Sequence, residues 1–294
     1  MPSSGAHDAM VRAMPKTKAE RKNLDALIAP YRHAEPARKF RLDAIDPGAK
    51  PMSSGSRERD KAAVVALAER LDALQMLFYA DRRFKLLVVL QGMDASGKDG
   101  TLRAVFGRMS PLGVRTVGWK APTEEERAHD PWWRIHRAVP GSGEIVVFNR
   151  SHYEDVLVPV ILGQLTREQV AERYRQINEF ERMLTEHGTV ICKFMLHISK
   201  DEQRERLQAR IDDPTKHWKF EGGDVDTRKK WDDYQRAYAE AIAATGTEWA
   251  PWTIVPADSK THRNLMIGTL LERRLLALKL RAPHNPAYDK LRVR

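Results

Sequence analysis

The sequence predicts a three-layer α/β/α fold, a parallel sheet of five strands covered by helices on both faces, with a helical lid rising from it. Three observations predict this. Short aliphatic runs without polar alternation recur along the chain, the pattern of strands buried on both faces. Between them lie longer stretches with apolar residues every three or four positions, the pattern of amphipathic helices. A glycine-rich turn joins the first of these strands to the helix after it, where a parallel sheet opens its ligand crevice.

The elements follow in order. Residues 1–58 are polar and rich in Pro, Ser, Gly, Lys and Arg, with a short helical stretch at 24–28. They read as an arm, partly disordered or draped over a neighbouring surface. Order begins near Lys61, where Val64, Leu67, Leu71, Leu74 and Phe78 mark an amphipathic helix. Residues 85–91 form the first buried strand, 99–109 the helix behind it and 114–119 the second strand. Thr123 with Glu126 offers a capping box, and Pro131 suits a first helical turn. Residues 144–149 make the third strand. Thr166 with Gln169 caps a long helix to about Glu186, whose Val170, Tyr174, Ile177, Phe180 and Leu184 share one face. Residues 189–198 are the fourth strand, and Ser199 with Glu202 caps the next helix. Residues 252–255 are the fifth strand and 265–280 the last helix.

The main domain is therefore expected over 59–281, followed by a tail at 282–294. One stretch breaks its alternation. Residues 212–226 carry Pro214, Gly222, Gly223 and several charges between helical segments at 200–211 and 227–244. An ordinary surface connection would look similar. The basic and aromatic run Lys216, His217, Trp218, Lys219 favours a mobile lid, at about 204–230.

Composition narrows the class. The 294 residues are 42% hydrophobic and 31% charged, which fits a soluble globular enzyme. The longest aliphatic run, 86–90, is too short to span a bilayer, and the N-terminus lacks an apolar signal core. The single cysteine, Cys192, excludes an intrachain disulfide and lies in an apolar run as a small core residue. A cytoplasmic setting is expected. Fifty Lys and Arg against 40 Asp and Glu leave a net charge of +10, which suggests a polyanionic partner. Charge alone does not choose among nucleic acid, anionic membrane and polyphosphate.

Gly92-Met-Asp-Ala-Ser-Gly97-Lys98 selects phosphate chemistry. It follows a buried strand and precedes a helix, the context a phosphate loop requires. Glycines allow the tight turn that aims successive N–H groups inward, and the helix start adds partial positive charge. Gly92, Ala95, Ser96, Gly97, Asp99 and Gly100 are the expected cradle, with Lys98 supplying a full charge. The Ser or Thr that ordinarily follows the lysine and ligates Mg²⁺ is Asp99 here. Asp94, inside the loop, offers a hard oxygen ligand instead, although a loop carboxylate can also serve backbone N–H groups. Asp99 is ambiguous, since any acid in a first helical turn is stabilised by the dipole.

A second constellation, Asn149-Arg150-Ser151-His-Tyr-Glu154-Asp155, emerges at the carboxyl end of the third strand. Arg150 suits bidentate contact with a phosphoryl oxygen, and Glu154 or Asp155 suits Mg²⁺. A surface arginine–carboxylate pair with Ser151 as a helix cap is the other reading. In the lid, Arg204, Arg206, Arg210, Lys216, Lys219, Arg228, Lys229 and Lys230 are candidates, of which only a few are expected to touch substrate.

These residues carry a resemblance. Gly92 to Gly100 followed by Phe148-Asn-Arg-Ser-His-Tyr-Glu-Asp-Val156 resembles the second family of polyphosphate kinases. So do Leu196-His-Ile-Ser-Lys-Asp-Glu-Gln-Arg204, Trp218-Lys-Phe220 and Trp231-Asp-Asp-Tyr234, and the likeness spans roughly 62–280. It implies a P-loop kinase-like fold, a homo-oligomer and Mg²⁺-dependent transfer between polyphosphate and nucleotides. At matching positions it implies Asp94 as Mg²⁺ ligand, while Glu154 remains a metal candidate from the reading of the second motif. Lys98 and Arg150 would act on the transferring phosphate, and Arg210, Lys216, Lys219 and Arg228 would lie along the polyphosphate chain. Members acting on nucleoside diphosphates commonly have Asp-Arg-Ser-Trp-Tyr at the second motif. The Asn149-Arg-Ser-His152-Tyr of this chain resembles members that accept mono- and diphosphates, so AMP and ADP are both expected acceptors.

An ATP-dependent kinase on the same fold is the rival expectation. Nucleic acid is not an expected partner, because Trp132-Trp133-Arg134 falls on a helix and no nucleic-acid-binding motif is present. Nor is a membrane.

Overall fold

The computed structural model describes residues 18–293 except 38, 221 and 290, with side chains from residue 23 onward. Residues 1–17 of the expected arm lie outside the described residues.

Among the described residues six strands form one sheet, which corrects the expected five. They are β1 (Arg32–His33), β2 (Lys85–Gln91), β3 (Val114–Gly118), β4 (Ile145–Asn149), β5 (Thr189–His197) and β6 (Trp252–Pro256). Their spatial order is β1-β6-β5-β2-β4-β3. The five predicted strands are mutually parallel, and β1 adds an antiparallel edge by pairing Arg32 with Thr253 and His33 with Trp252. Two residues carry no apolar run or alternation, so β1 left no periodic signal.

β2 lies at the centre because its side chains bury on both faces. Leu87 and Val89 join Phe148, Ile177 and Phe180 on one side of the sheet. Leu86, Val88 and Leu90 join Leu71, Phe78, Met266 and Leu271 on the other. Helices thus cover both faces, and each apolar stripe finds a core.

The helix Arg57–Asp81 starts before the expected Lys61, with Ser56 accepting from the Arg59 N–H. Asp60 in its first turn accepts from Ser53 Oγ at 2.5 Å and Ser54 N at 2.8 Å. Both expected capping boxes, Thr123 with Glu126 and Thr166 with Gln169, form. The helix behind the glycine-rich turn is α-helical only over Lys98–Thr101 and continues as a wider π turn over Leu102–Phe106. Beyond β5 come the helix Lys200–Ile211, a 3₁₀ turn Pro214–Lys219, the helix Gly222–Lys229 and the helix Trp231–Thr245. Non-helical Lys230 divides what the periodicity suggested was one segment.

Before the first long helix, the chain straps across β6 and its neighbours. Ala37 N donates to Ala243 O at 2.9 Å, Asp258 N donates to Pro47 O at 3.2 Å, and Leu42 is buried in the core. No helix among the described residues is long and apolar enough to cross a membrane.

Candidate functional site

Register brings the two sequence motifs together. β2 and β4 are neighbours with Leu90 opposite Asn149, so the turn after Gln91 and the segment after Asn149 leave the same sheet edge side by side. The turn is held in conformations that favour glycine. Gly97 has φ +104°, and a Cβ there would lie 1.8 Å from Arg263 Nη1. Gly92 is as crowded, since a Cβ would lie 2.6 Å from the Leu196 carbonyl oxygen. Ala95 and Arg150, at φ 62° and 64°, hold left-handed conformations that L-residues adopt at a cost and that concentrate at functional sites. Ser96 Oγ is buried inside the loop without a hydrogen-bond partner among the described residues, a donor suited to an anionic oxygen.

Lys98 folds back into this loop. Its Nζ donates to the carbonyls of Gly92 at 2.7 Å and Met93 at 3.3 Å. Burial, with Arg150 nearby, pushes its pKa down to about 8, against the opposing influence of Asp94, Glu154 and Asp99. Arg150 donates to Asp94 Oδ1 at 2.7 Å and stands 3.5 Å from Glu154 Oε2. Burial disfavours its charge, but Glu154 and Asp94 outweigh burial and hold its pKa above the ordinary arginine value. Glu154 Oε1 accepts from Gln91 Nε2 at 3.0 Å, and Asn149 Nδ2 donates to Asp99 Oδ1 at 2.8 Å. Two cations and three carboxylates from separate motifs thus meet at one strand edge. Asp155 is drawn away, accepting from buried Arg134 at 2.6 Å.

A cavity of about 1100 Å³ opens over this edge, bounded by the loop, the ends of β3 and β4, and the 204–230 excursion. Asp94, Ala95, Gly97, Lys98, Asp99, Gly100, Asn149 and Arg150 line it, with Arg210, Lys216 and Lys219 on the far wall. Gly92, Ser96 and Glu154 stand behind the lining. Arg228 is not in the wall: it donates to Lys200 O at 2.6 Å and Gln203 Oε1 at 3.0 Å. Arg210 is occupied by Lys219 O and Asp224, and Lys216 Nζ lies 2.6 Å from Asp213 Oδ2 in the 3₁₀ turn, whereas the Lys219 ammonium lies over the Trp218 ring.

Several residues escaped sequence reasoning. Arg206, read there as one of many lid cations, holds the loop instead. Its guanidinium reaches Ala95 O at 2.9 Å, Ser96 O at 3.1 Å, and Ala257 O and Asp258 O at 2.7 Å each. Arg263, buried in the helix Lys260–Ala277, donates to Ser96 O at 3.1 Å, and burial pushes its pKa down to about 9. Gln203 Nε2 donates to Asp94 O at 3.1 Å. An arginine in an amphipathic helix carries no local mark of such a task. Trp119, Lys120 and Lys260 also line the cavity.

No cluster of three or more His, Cys, Asp or Glu able to hold a metal occurs among the described residues. Mg²⁺ ordinarily takes one or two carboxylates and completes its shell with water and substrate phosphates. A single loop carboxylate, Asp94, lining this cavity beside Lys98 and Arg150 fits that habit.

Residues 54–281 match the family model described as Polyphosphate kinase 2. The chain is 48% identical over 258 residues to an AMP/ADP-polyphosphate phosphotransferase of Meiothermus ruber, covering 87% of this chain and 97% of the relative. It is 39% identical over 248 residues to an ADP-polyphosphate phosphotransferase of Rhodopseudomonas palustris, covering 80% and 86%. Among solved structures, a polyphosphate kinase 2 from Arthrobacter aurescens superposes with a TM-score of 0.82 at 42% identity, over 86% of this chain and 95% of that one.

Proposed function

The chain belongs to the polyphosphate kinase 2 family, and from that premise we propose how its site moves the terminal phosphate of inorganic polyphosphate onto AMP and ADP. The observation that carries the reading is the meeting of Lys98, Arg150 and Asp94 at the edge shared by β2 and β4.

The acceptor is a phosphate oxygen that is already anionic near neutral pH, so the attack needs no general base. One P–O bond to the polyphosphate chain breaks and one P–O bond to the nucleotide forms, and the reverse uses the same groups. The protein's task is positioning and charge neutralisation. The loop N–H groups and Ser96 Oγ cradle the phosphates. Lys98 leaves the Gly92 carbonyl for a phosphoryl oxygen, a stronger acceptor because it is charged. Arg150 turns from Asp94 to the transferring group and stabilises the charge developing on it. Asp94 then has an oxygen free for Mg²⁺, which when bound neutralises phosphate charge and orients the chain. Glu154, its oxygens engaged by Gln91 and Arg150, would help hold Mg²⁺ only once Arg150 has moved. Lys216 and Lys219 track the polyphosphate chain, as a cationic groove tracks any phosphate backbone. Arg228 is assigned to the lid hinge rather than to substrate.

The same reading keeps 59–281 as the phosphotransferase domain with a lid near 204–230, flanked by an arm and a tail. It includes a homo-oligomer, to be measured by light scattering of the pure protein. A cytoplasmic setting is supported by the lone Cys192, whose thiol burial pushes up to about 11 and leaves unreactive.

The test is an ATP-free assay with Mg²⁺, long-chain polyphosphate, and AMP or ADP supplied separately. ADP and ATP from AMP are expected. ATP from ADP alone would remove the monophosphate acceptor. No product from either, with turnover restored by ATP and a second acceptor, would replace the reading with an ATP-dependent kinase.

A further inference from the structure

A lysine is fully buried in the middle of the sheet. Lys193 lies on β5 with a relative exposure of 1%, and its ammonium has three donors and three acceptors. Nζ lies 2.6 Å from Glu181 Oε2, 2.9 Å from Tyr153 Oη and 2.7 Å from Thr245 O. Glu181, 0% exposed on the helix Arg167–Glu186, uses its other oxygen for the Tyr153 hydroxyl at 2.9 Å and for His152 Nε2 at 3.3 Å. Thr245 Oγ1 is 3.1 Å from the Tyr153 hydroxyl and accepts from Trp252 Nε1 at 3.0 Å. Burial lowers the pKa of the Lys193 ammonium, and Glu181 opposes the shift.

This network serves no part of the chemistry described above, yet Tyr153 adjoins the residues that carry it, and Thr245 lies at the end of a helix that begins at the lid. Tyr153 is the residue before the helix Glu154–Ile161, so fixing its ring fixes the start of that helix and hence Glu154. Arg150, with its left-handed backbone, is joined to Tyr153 only by Ser151 and His152, both buried. Thr245 ends the helix Trp231–Thr245, which follows directly on the lid. A charge pair in an apolar core is costly to desolvate, and apolar residues would fill the space at least as well. Its use lies in directional bonds that apolar packing lacks.

We propose that Lys193 is a positioning residue for phosphoryl transfer: paired with Glu181, it pins Tyr153 and Thr245, and through them sets the placement of Arg150, of Glu154 and of the helix returning from the lid. The proposal rests on the reading of the site given above.

The experiment compares the parent with Lys193→Met, which strands Glu181 in the core, and with the double variant Lys193→Met/Glu181→Leu, which removes both charges and keeps the volume. Melting curves choose a temperature at which every protein compared is folded. There, with polyphosphate and AMP, the double variant is expected to show kcat reduced at least ~10-fold with the KM for AMP within about threefold, the signature of lost transition-state placement. Amide hydrogen exchange, which needs no substrate, should quicken over 150–155 and 231–245 and stay as in the parent in β2. A double variant with parental kcat and parental exchange in those segments would overturn the proposal and leave the pair a packing feature. The parent measured alongside separates the two claims. Its failure to use polyphosphate would sink the donor assignment, while the exchange pattern would still decide the role of Lys193.

Discussion

The Lys98 ammonium lies inside its own loop, 2.7 Å from the Gly92 carbonyl. An anion entering the loop would therefore exchange with a backbone acceptor, not with solvent. The lysine's pKa of about 8 compares with 10.5 for the free side chain.

Two opposite pH dependences follow. Between pH of about 8 and 10.5 the unfolded chain binds a proton at Lys98 that the folded chain has lost. Native stability should therefore rise across this window relative to Lys98→Ala, as read from urea midpoints. Phosphate binding needs the ammonium, so kcat/KM for polyphosphate should fall as pH rises through about 8. Lys98→Ala itself should lose at least ~10²-fold in kcat while remaining folded. Retained turnover would remove the lysine from the mechanism.

Asp94→Asn should raise the Mg²⁺ concentration needed for half-maximal activity at least ~10-fold, because a neutral amide oxygen is a weaker partner for a hard cation. The variant also leaves Arg150 without one of its two carboxylate neighbours. An unchanged metal titration would exclude Asp94 as a ligand.

Asn149→Asp would set a carboxylate against Asp99, where an amide now donates at 2.8 Å. Like charges at this range repel by about 1.5–6 kcal/mol depending on exposure. The added carboxylate also repels the acceptor's phosphates, and AMP, held through a single phosphate group, has less binding to set against that than ADP. The ratio of kcat/KM for AMP over ADP is expected to fall, and an unchanged ratio would detach Asn149 from acceptor choice.

Lys216→Gln with Lys219→Gln should raise the KM for long-chain polyphosphate and flatten its salt dependence by roughly one or two ions per bound chain. The KM for AMP should stay put. Equal loss for both substrates would argue instead for a general disturbance of the lid.

Much of this molecule was legible locally. β2 and β4 are built on continuous apolar runs and β5 on one broken by Lys193, because a strand buried on both faces needs them, and Thr123, Thr166 and Ser199 mark helix starts through hydroxyls that must meet free N–H groups. The phosphate loop could be read from residues 92–98 alone, since its glycines, lysine and flanking elements are one contiguous device.

Tertiary structure decided what depends on strand order and burial. Asp94 and Arg150 lie 56 residues apart, and only the pairing of β2 with β4 brings them to 2.7 Å. Arg206 and Arg263 look like solvated helix cations until the loop's carbonyls are folded against them. Lys193 looks like an interruption in an apolar strand until Glu181, Tyr153 and Thr245 converge on it from three other elements. Local pattern records which face of an element is apolar. It does not record which distant partner meets a charge, because that is set by how the chain packs and not by any period along it.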